Sequence, residues 1–351
     1  MTGTKIQINL NDPNHNNQSC FGHLIIDIWN LFVICFLIFG AFLNKKLDFI
    51  DRHYLVLILL TVLVACEKTV YVDIPDKGRM ITINSLFNPD SLLKVSVSKS
   101  CYILDNDIQA IENATVEVYE NGNLLNTLPY LNNGLYKSTT QKPSSGDRYK
   151  IKVTVPVMGT VETESYIPPE TNIISIDTAL VMRTDIDGYK YEQLEFRVKF
   201  KDNPDKNNFY LLALTQINIY TYHDHEGDTI ITDTIQYNRY CESDDPSVVE
   251  HLWEEGLLFN DNLFNGNTYV FILSTGKYFD EGASICVNLK SISEDYFKYL
   301  ATCKKHMEAN WDPFMEKISV YTNVEGGVGI FGGYSLATDT IVVCGEENKW
   351  E

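Results

Sequence analysis

The sequence lacks an excess of basic residues. Its 351 residues include 28 Lys and Arg against 47 Asp and Glu, which gives a formal net charge of -19. A chain this acidic repels the phosphate backbone of DNA and RNA, so nucleic acid is excluded as a partner. The balance of 44% apolar and 21% charged residues is that of a globular protein and excludes a disordered chain or a coiled coil.

The sequence also lacks the short motifs of common enzymes and metal sites. Neither HExxH nor GxSxG occurs, and none of the 8 cysteines forms a CxxC pair. We therefore predict no catalytic residue and no cofactor. The cysteines beyond residue 66 are odd in number and scattered in spacing, which indicates buried thiols without a disulfide framework.

The N-terminal region contains a short apolar run that ends in a cysteine. Residues Tyr54 to Val64 are apolar apart from Thr61, basic residues precede them, and Leu63-Val64-Ala65-Cys66 follows. This pattern resembles the signal of bacterial lipoproteins, in which fatty acyl chains such as palmitate are attached to the cysteine. We predict that residues 1–65 are a leader and that Cys66 is lipidated. The alternative is a transmembrane helix, but the run is too short to cross about 30 Å of hydrocarbon.

A second apolar stretch, from Leu31 to Leu43, precedes the first and is unusual for a lipoprotein signal. Two interpretations stay open. The stretch is a membrane helix, or translation starts later than Met1, near residues 44 to 50, and the first 43 residues are not made. The second interpretation is favoured, although it requires a start codon other than Met.

The residues after Cys66 predict an all-β fold. Apolar side chains alternate with polar ones from Ala114 to Tyr119 and from Tyr149 to Val155, and Asn121-Gly122 is a hairpin turn signal. We predict an immunoglobulin-like β-sandwich over residues 66–167. Because Pro168 and Pro169 cannot donate to a β-ladder, we place a domain boundary there.

Residues 171–351 predict a second β-rich domain with one amphipathic helix. Leu194 to Phe200 alternate as a strand with one wet face, and Ile318 to Tyr321 is also predicted as a strand. Ser291 and Glu294 form a candidate capping box. The helix that follows carries an apolar face at helical spacing, which consists of Tyr296, Leu300, Cys303 and Met307.

Two segments resemble ligand sites. His223 and His225 lie on alternate residues of a strand, where both can reach a metal with Glu226 or Asp228 nearby. They are weak candidates, because a polar segment followed by Gly227 is also typical of a solvated hairpin tip. Residues 327–332 match GxGxxG, but no helical pattern follows them. We therefore predict a structural glycine loop and no nucleotide site.

Several motifs together resemble one known family. They are the lipoprotein signal, the strand pattern from Met80 to Pro168, Lys201-Asp202-Asn203-Pro204 with Asn208-Phe209-Tyr210, Asp312-Pro313-Phe314, and the segment from Asn323 to Gly332. The chain resembles the Bacteroidota lipoprotein family catalogued as domain of unknown function 4249. The resemblance covers the chain from Cys66 onward. It implies an outer-membrane lipoprotein, often encoded beside a TonB-dependent receptor, and it transfers no catalytic residue.

Two classes of function are compatible with these observations. The first is a non-enzymatic binding or accessory lipoprotein that works with a TonB-dependent receptor in nutrient uptake, on a small ligand, glycan or peptide. The second is a secreted, lipid-anchored hydrolase with an unrecognised carboxylate site. We expect the first, and a pocket holding two carboxylates of divergent pKa would favour the second.

Overall fold

The fold was analysed in a computed structural model, which describes residues 78–101, 108–204, 207–223, 230–253, 255–279, 283–311 and 314–342. Arg79–Cys101 and Asp105–Glu351 form one compact unit. In the described part of the chain, 17 strands accompany a single helix, which confirms the predicted all-β fold class.

The described strands are numbered in chain order. They are β1 (Ile81–Phe87), β2 (Lys94–Lys99), β3 (Thr115–Glu120), β4 (Asn123–Leu128), β5 (Tyr130–Asn132), β6 (Leu135–Lys137), β7 (Arg148–Val155), β8 (Gly159–Tyr166), β9 (Ile173–Thr184), β10 (Lys190–Lys201), β11 (Phe209–His223), β12 (Ile230–Arg239), β13 (Val248–Leu252), β14 (Gly256–Asn260), β15 (Thr268–Gly276), β16 (Ser284–Ile292) and β17 (Val328–Val342). The helix is α1 (Glu294–Trp311).

The first half of the unit is a sandwich of two sheets. One sheet has the order β4-β3-β7-β8, and the facing strands β17-β1-β2-β6-β5 belong to a larger sheet. Side chains from both sheets form one buried cluster that includes Ile83, Val97, Val118 and Ile151. These residues occupy alternate positions, as expected for strands with one face in the core. The predicted Asn121-Gly122 turn joins β3 to β4, with positive φ at both residues.

The second half is a separate pair of facing sheets. Strands β15-β10-β9 form a three-stranded sheet, and the facing strands β13-β14-β11-β16-β17 continue the large sheet, with β12 paired to β11. Phe196, Val198 and Phe200 of β10 point into the cluster between them. Tyr210, Leu212 and Leu214 of β11 do the same from the opposite sheet. The alternation predicted for Leu194 to Phe200 therefore corresponds to an observed strand.

Strand β17 belongs to both halves. Its first residues pair in parallel with β1, from Val328 opposite Thr82 to Gly333 opposite Phe87. Its later residues pair antiparallel with β16, from Tyr334 to Val342. Val324 and Phe331, which follow the predicted boundary at residues 167–170, thus lie in the core cluster of the first half. Because β1 and β17 are far apart in sequence, local sequence patterns carry no signal of their pairing.

Helix α1 packs on the outer face of the large sheet. Tyr296, Leu300 and Ala301 contact a third cluster that includes Leu211 of β11. Because neighbouring residues of β11 face opposite sides, Leu211 meets the helix while Tyr210 and Leu212 meet the core. The predicted helix is thus present, but Met307 is exposed instead of packed.

The predicted capping box is wrong. The N-cap of α1 is Ser293, whose hydroxyl accepts a hydrogen bond from the Tyr296 amide at 3.4 Å. Ser291 lies in β16, and its hydroxyl donates to Thr171 Oγ1 at 3.1 Å. Strand pairing with β11 holds Ser291 in an extended conformation, so it cannot begin the helix.

The strand predicted at Ile318 to Tyr321 is also wrong. This segment pairs with no strand, and it contacts α1 through side chains. The Tyr321 amide donates to Thr302 Oγ1 at 2.8 Å, and the Tyr321 hydroxyl donates to Asp295 Oδ1 at 2.6 Å. A strand in a sheet and a segment that contacts a helix can show the same alternating apolar pattern, because the pattern reports one buried face and not the hydrogen-bonding partner.

Gly329 is the point of closest approach between β17 and β1. Its φ is 112°, a conformation that residues with side chains rarely adopt. A Cβ at this position would overlap the carbonyl oxygen of Ile83, which lies opposite Gly329 in the ladder. The glycine segment predicted to be structural therefore forms a strand whose pairing requires the absence of a side chain.

We expect Gly329→Ala to lower the free energy of unfolding by about 3 kcal/mol or more, through backbone strain and overlap with β1. The matched control is Gly146→Ala, because Gly146 has φ 87° and no atom within 4 Å of an added Cβ. The control carries strain alone and should lose about 1 kcal/mol. Urea unfolding measures both values, and equal losses would contradict the close approach.

Candidate functional site

The two predicted sites, the lipidation site and the metal site, are not described by the structure. Cys66 and His225 lie outside the described residues, and so does the side chain of His223, which ends β11. Lipidation of Cys66 and a metal at the two histidines therefore stay predictions. Within the ranges that the structure describes, no group of three or more His, Cys, Asp or Glu is placed to hold a metal ion.

The cysteines differ in exposure. Cys241 and Cys286 are buried thiols, Cys303 is half-buried, and Cys101 is exposed. Burial raises the pKa of Cys241 to about 12, so its thiol stays protonated and unreactive near neutral pH. The expectation of buried thiols therefore fits Cys241 and Cys286 and not Cys101.

The segment from Lys201 to Tyr210, which connects β10 to β11, contains a buried carboxylate, Asp202. Asp202 is 2% exposed, and it accepts hydrogen bonds from the Tyr210 hydroxyl and from the Gly266 amide, the latter at 2.7 Å. Thr171 Oγ1 lies 3.4 Å from the Tyr210 hydroxyl and links the group to Ser291. These contacts join four separate segments of the chain inside the second half.

Asp261 forms a second buried carboxylate near Asp202. It is 1% exposed and accepts hydrogen bonds from Asn208, from the amide at 2.9 Å and from Nδ2 at 3.2 Å. Burial raises the pKa of Asp202, with a further contribution from the charge of Asp261, while hydrogen bonds from Tyr210 and Gly266 oppose the rise. Both carboxylates are buried and hydrogen-bonded, and their contacts hold loops of the second half together.

Three further carboxylates, those of Asp185, Asp244 and Asp245, also accept hydrogen bonds from the protein. Asp244 accepts a hydrogen bond from Arg183 at 3.3 Å, and Asp245 accepts from the hydroxyls of Ser247 and Tyr269 at 2.6 and 2.9 Å. Asp185 closes the β9–β10 turn by accepting from the Tyr189 amide at 2.8 Å. None of these three groups is arranged as an acid–base pair.

The segment from Asn323 to Gly332 clamps β17 to its surroundings. The Asn323 side chain accepts a hydrogen bond from the Phe331 amide at 3.0 Å and donates to the Phe331 carbonyl at 2.8 Å. The residues that match GxGxxG lie at the start of β17, which continues as a strand to Val342. A phosphate loop requires a helix at this point, so the segment has the geometry of a strand start and not of a nucleotide site.

A pocket in the first sandwich, between Leu93 and Tyr149, is too small to hold more than a water molecule. Among the described helices, none combines the length and the apolar character that crossing a bilayer demands.

Two hairpins extend beyond the core of the second half and expose apolar side chains to solvent. Residues 190–192 of β10 pair with β9 alone, and residues 218–223 of β11 pair with β12 alone. The row of β9 residues that faces the core continues past it to Leu180 and Met182. The corresponding row of the other hairpin continues to Tyr237 and Ile235, which lie opposite Gln216 and Asn218. We call Leu180, Met182, Ile235 and Tyr237 the hairpin surface, and all four are exposed.

A row of buried polar groups stiffens the base of the β11–β12 hairpin. Arg239 Nη1 donates to Gln216 Oε1 at 2.6 Å, and Gln216 Nε2 donates to Asn218 Oδ1 at 2.8 Å. Arg239 also donates to the Gly276 carbonyl at 2.7 Å, and its guanidinium lies 4.3 Å from the centre of the Phe279 ring. These contacts fix β12 against the end of β15, so the exposed apolar side chains are presented on an ordered base.

Sequence reasoning missed the hairpin surface. Alternation predicts that one face of each strand is apolar, but it does not say where the facing sheet ends. Strands β11 and β12 stay paired from Leu214 to His223, and this length places the hairpin surface beyond the core.

Comparison with known families identifies the family of this chain. A family model described as a domain of unknown function (DUF4249) matches residues 67–340. The chain belongs to this family. The matched range includes every strand from β1 to β16 and helix α1. A comparison with curated proteins gives no significant match.

We expect Asp202→Asn to change how stability depends on pH. The folded chain holds the Asp202 proton more tightly than the unfolded chain, so the free energy of unfolding of the wild type gains as the pH falls through this pKa. The variant lacks this gain. The stability of the wild type minus that of the variant should therefore rise as the pH falls toward about 4, the ordinary pKa of an aspartate, measured by urea unfolding. A difference that does not change with pH would contradict the raised pKa.

Proposed function

We propose that this member of the DUF4249 family is an outer-membrane lipoprotein that acts as a non-enzymatic binding or accessory subunit of a TonB-dependent receptor. The lipid anchor is proposed at Cys66, on the basis of the Leu63-Val64-Ala65-Cys66 pattern after a short apolar run. The partner is proposed from the resemblance to lipoproteins encoded beside such receptors.

The observation that carries the binding role is the hairpin surface. Apolar side chains on a core-facing row normally pack against another sheet, but Leu180, Met182, Ile235 and Tyr237 continue past the facing strands into solvent. Exposed apolar groups on an ordered base are typical of surfaces that bind another protein. Tyr237 adds an aromatic side chain of the kind enriched at such interfaces.

The anchor and the surface support each other. A protein held on a membrane meets a receptor in the same membrane at a high effective concentration, so a small contact area is sufficient for association. The buried carboxylates offer no comparable support for a hydrolase, because Asp202 and Asp261 are closed to solvent and hydrogen-bonded to the protein.

The first test concerns the anchor. We expect Cys66→Ser to shift the protein from the membrane fraction to the soluble fraction, or to leave an unprocessed precursor at the inner membrane, because the acylated sulfur is lost. Fractionation followed by intact-mass measurement distinguishes these forms. A wild-type mass that includes residues 1–65 and no acyl chains would contradict lipidation.

The second test concerns the hairpin surface and uses two matched leucines. Leu180 is 55% exposed on β9, and Leu131 is 54% exposed on β5 of the first sandwich. We expect Leu180→Asp to weaken co-purification with a β-barrel receptor about tenfold, which corresponds to about 1.4 kcal/mol, while Leu131→Asp has no effect. The measurement is quantitative mass spectrometry of partners after gentle detergent extraction.

Two outcomes would contradict the binding role. One is equal loss of the receptor in both leucine variants. The other is recovery of the lipoprotein alone together with turnover of a glycan or peptide substrate, which would favour the hydrolase.

A further inference from the structure

One end of the first sandwich is where the chain joins the compact unit, and we call it the proximal end. Strand β1 begins there at Ile81, which pairs with Lys99 at the end of β2. Gly327 lies beside both the Ile81 carbonyl and the Val161 side chain, so the start of β8 and the β7–β8 turn belong to the same end. The segment before β3 also reaches it, because the Lys99 amide donates to the Gln109 carbonyl at 2.8 Å.

Apolar side chains project from three of these segments. Met80 precedes β1, Ile108 precedes Gln109, and Val157 occupies the β7–β8 turn. Ile108 is 75% exposed, Val157 is fully exposed, and Met80 is also exposed. The three side chains come from positions far apart in sequence, so their presence at one end is not the result of a single local pattern.

Val157 is an unusual residue for its position. Its φ is 72°, a conformation that disfavours β-branched side chains and that turns normally assign to Gly or Asn. The turns at the opposite end of the sandwich follow that rule, since they contain Asn121-Gly122 and Ser145-Gly146. The chain therefore places an apolar residue at the proximal turn against local preference, while it places polar residues at the distal turns.

We propose that the proximal end rests on a lipid surface, with the side chains of Ile108 and Val157 inserted at the boundary between headgroups and acyl chains. This inference rests on the proposed lipid anchor at Cys66. Cys66 precedes Arg79 by 13 positions, and a chain of that length spans at most about 45 Å. Since Arg79 leads directly into β1, the anchor tethers the unit by the end that carries the exposed apolar side chains.

Insertion at this end orients the unit and does not anchor it. A few apolar side chains bury little area compared with acyl chains, which provide the durable attachment. Their contribution is to turn the proximal end toward the bilayer, whereas the lipid anchor alone would allow many orientations of the unit. A second copy of this chain is a less suitable occupant, because the exposed residues lie on turns and strand ends and not on a broad flat face.

The test uses the full lipoprotein reconstituted in phosphatidylcholine vesicles with brominated acyl chains, which quench tryptophan fluorescence on contact. Val157→Trp and Ile108→Trp place a probe at the proximal end. Leu124→Trp is the matched control, because Leu124 is 57% exposed and follows the distal Asn121-Gly122 turn. The wild-type signal is subtracted to remove the native tryptophans. We expect brominated lipid to quench the added fluorescence of both proximal variants at least threefold more than that of the control.

Flotation with the vesicles and thermal unfolding are measured on the same samples. Flotation of folded variants with equal quenching at positions 108, 124 and 157 would overturn the orientation and leave the anchor in place. Failure of the wild type to float would overturn the anchor and, with it, the orientation. Use of both proximal positions guards against a Val157→Trp variant that does not fold.

Discussion

The parallel pairing of β17 with β1 is the constraint on which the rest of the fold depends. It closes the first sandwich with residues from the C-terminal part of the chain, and Phe331 completes that core by stacking on Phe87 at 4.3 Å. The same strand then pairs with β16 and enters the second sheet. Because Gly329 leaves no side chain between β17 and the Ile83 carbonyl, the two backbones can approach closely enough to form this ladder.

Much of the local structure could be predicted from the sequence. Alternation located β7 and β10 correctly, and Asn121-Gly122 located a hairpin turn, because these signals depend on neighbouring residues alone. The same signal fails at Ile318 to Tyr321, because the hydrogen bonds of this segment go to side chains of α1. Pairing between distant strands has no local signal, which explains why the shared β17 could not be predicted.

The functional residues were less predictable than the fold. The segment from Lys201 to Tyr210 was distinctive in sequence, yet its role depends on contacts with Gly266 and Thr171, which only the folded chain brings together. The hairpin surface has the same alternating pattern as the core strands. Its exposure follows from the length of β11 and β12 relative to the facing sheet, a property of the tertiary structure.

The length of β17 also sets a distance. Its first residue, Val328, pairs beside the start of β1 at the proximal end, and its last, Val342, pairs with Ser284 at the base of the long hairpins. Fifteen residues of extended chain measure up to about 50 Å. A single continuous strand thus connects the proximal end to the base of the long hairpins. If the proximal end lies on the bilayer, as proposed above, the hairpins at the other end of β17 lie up to about 50 Å from it.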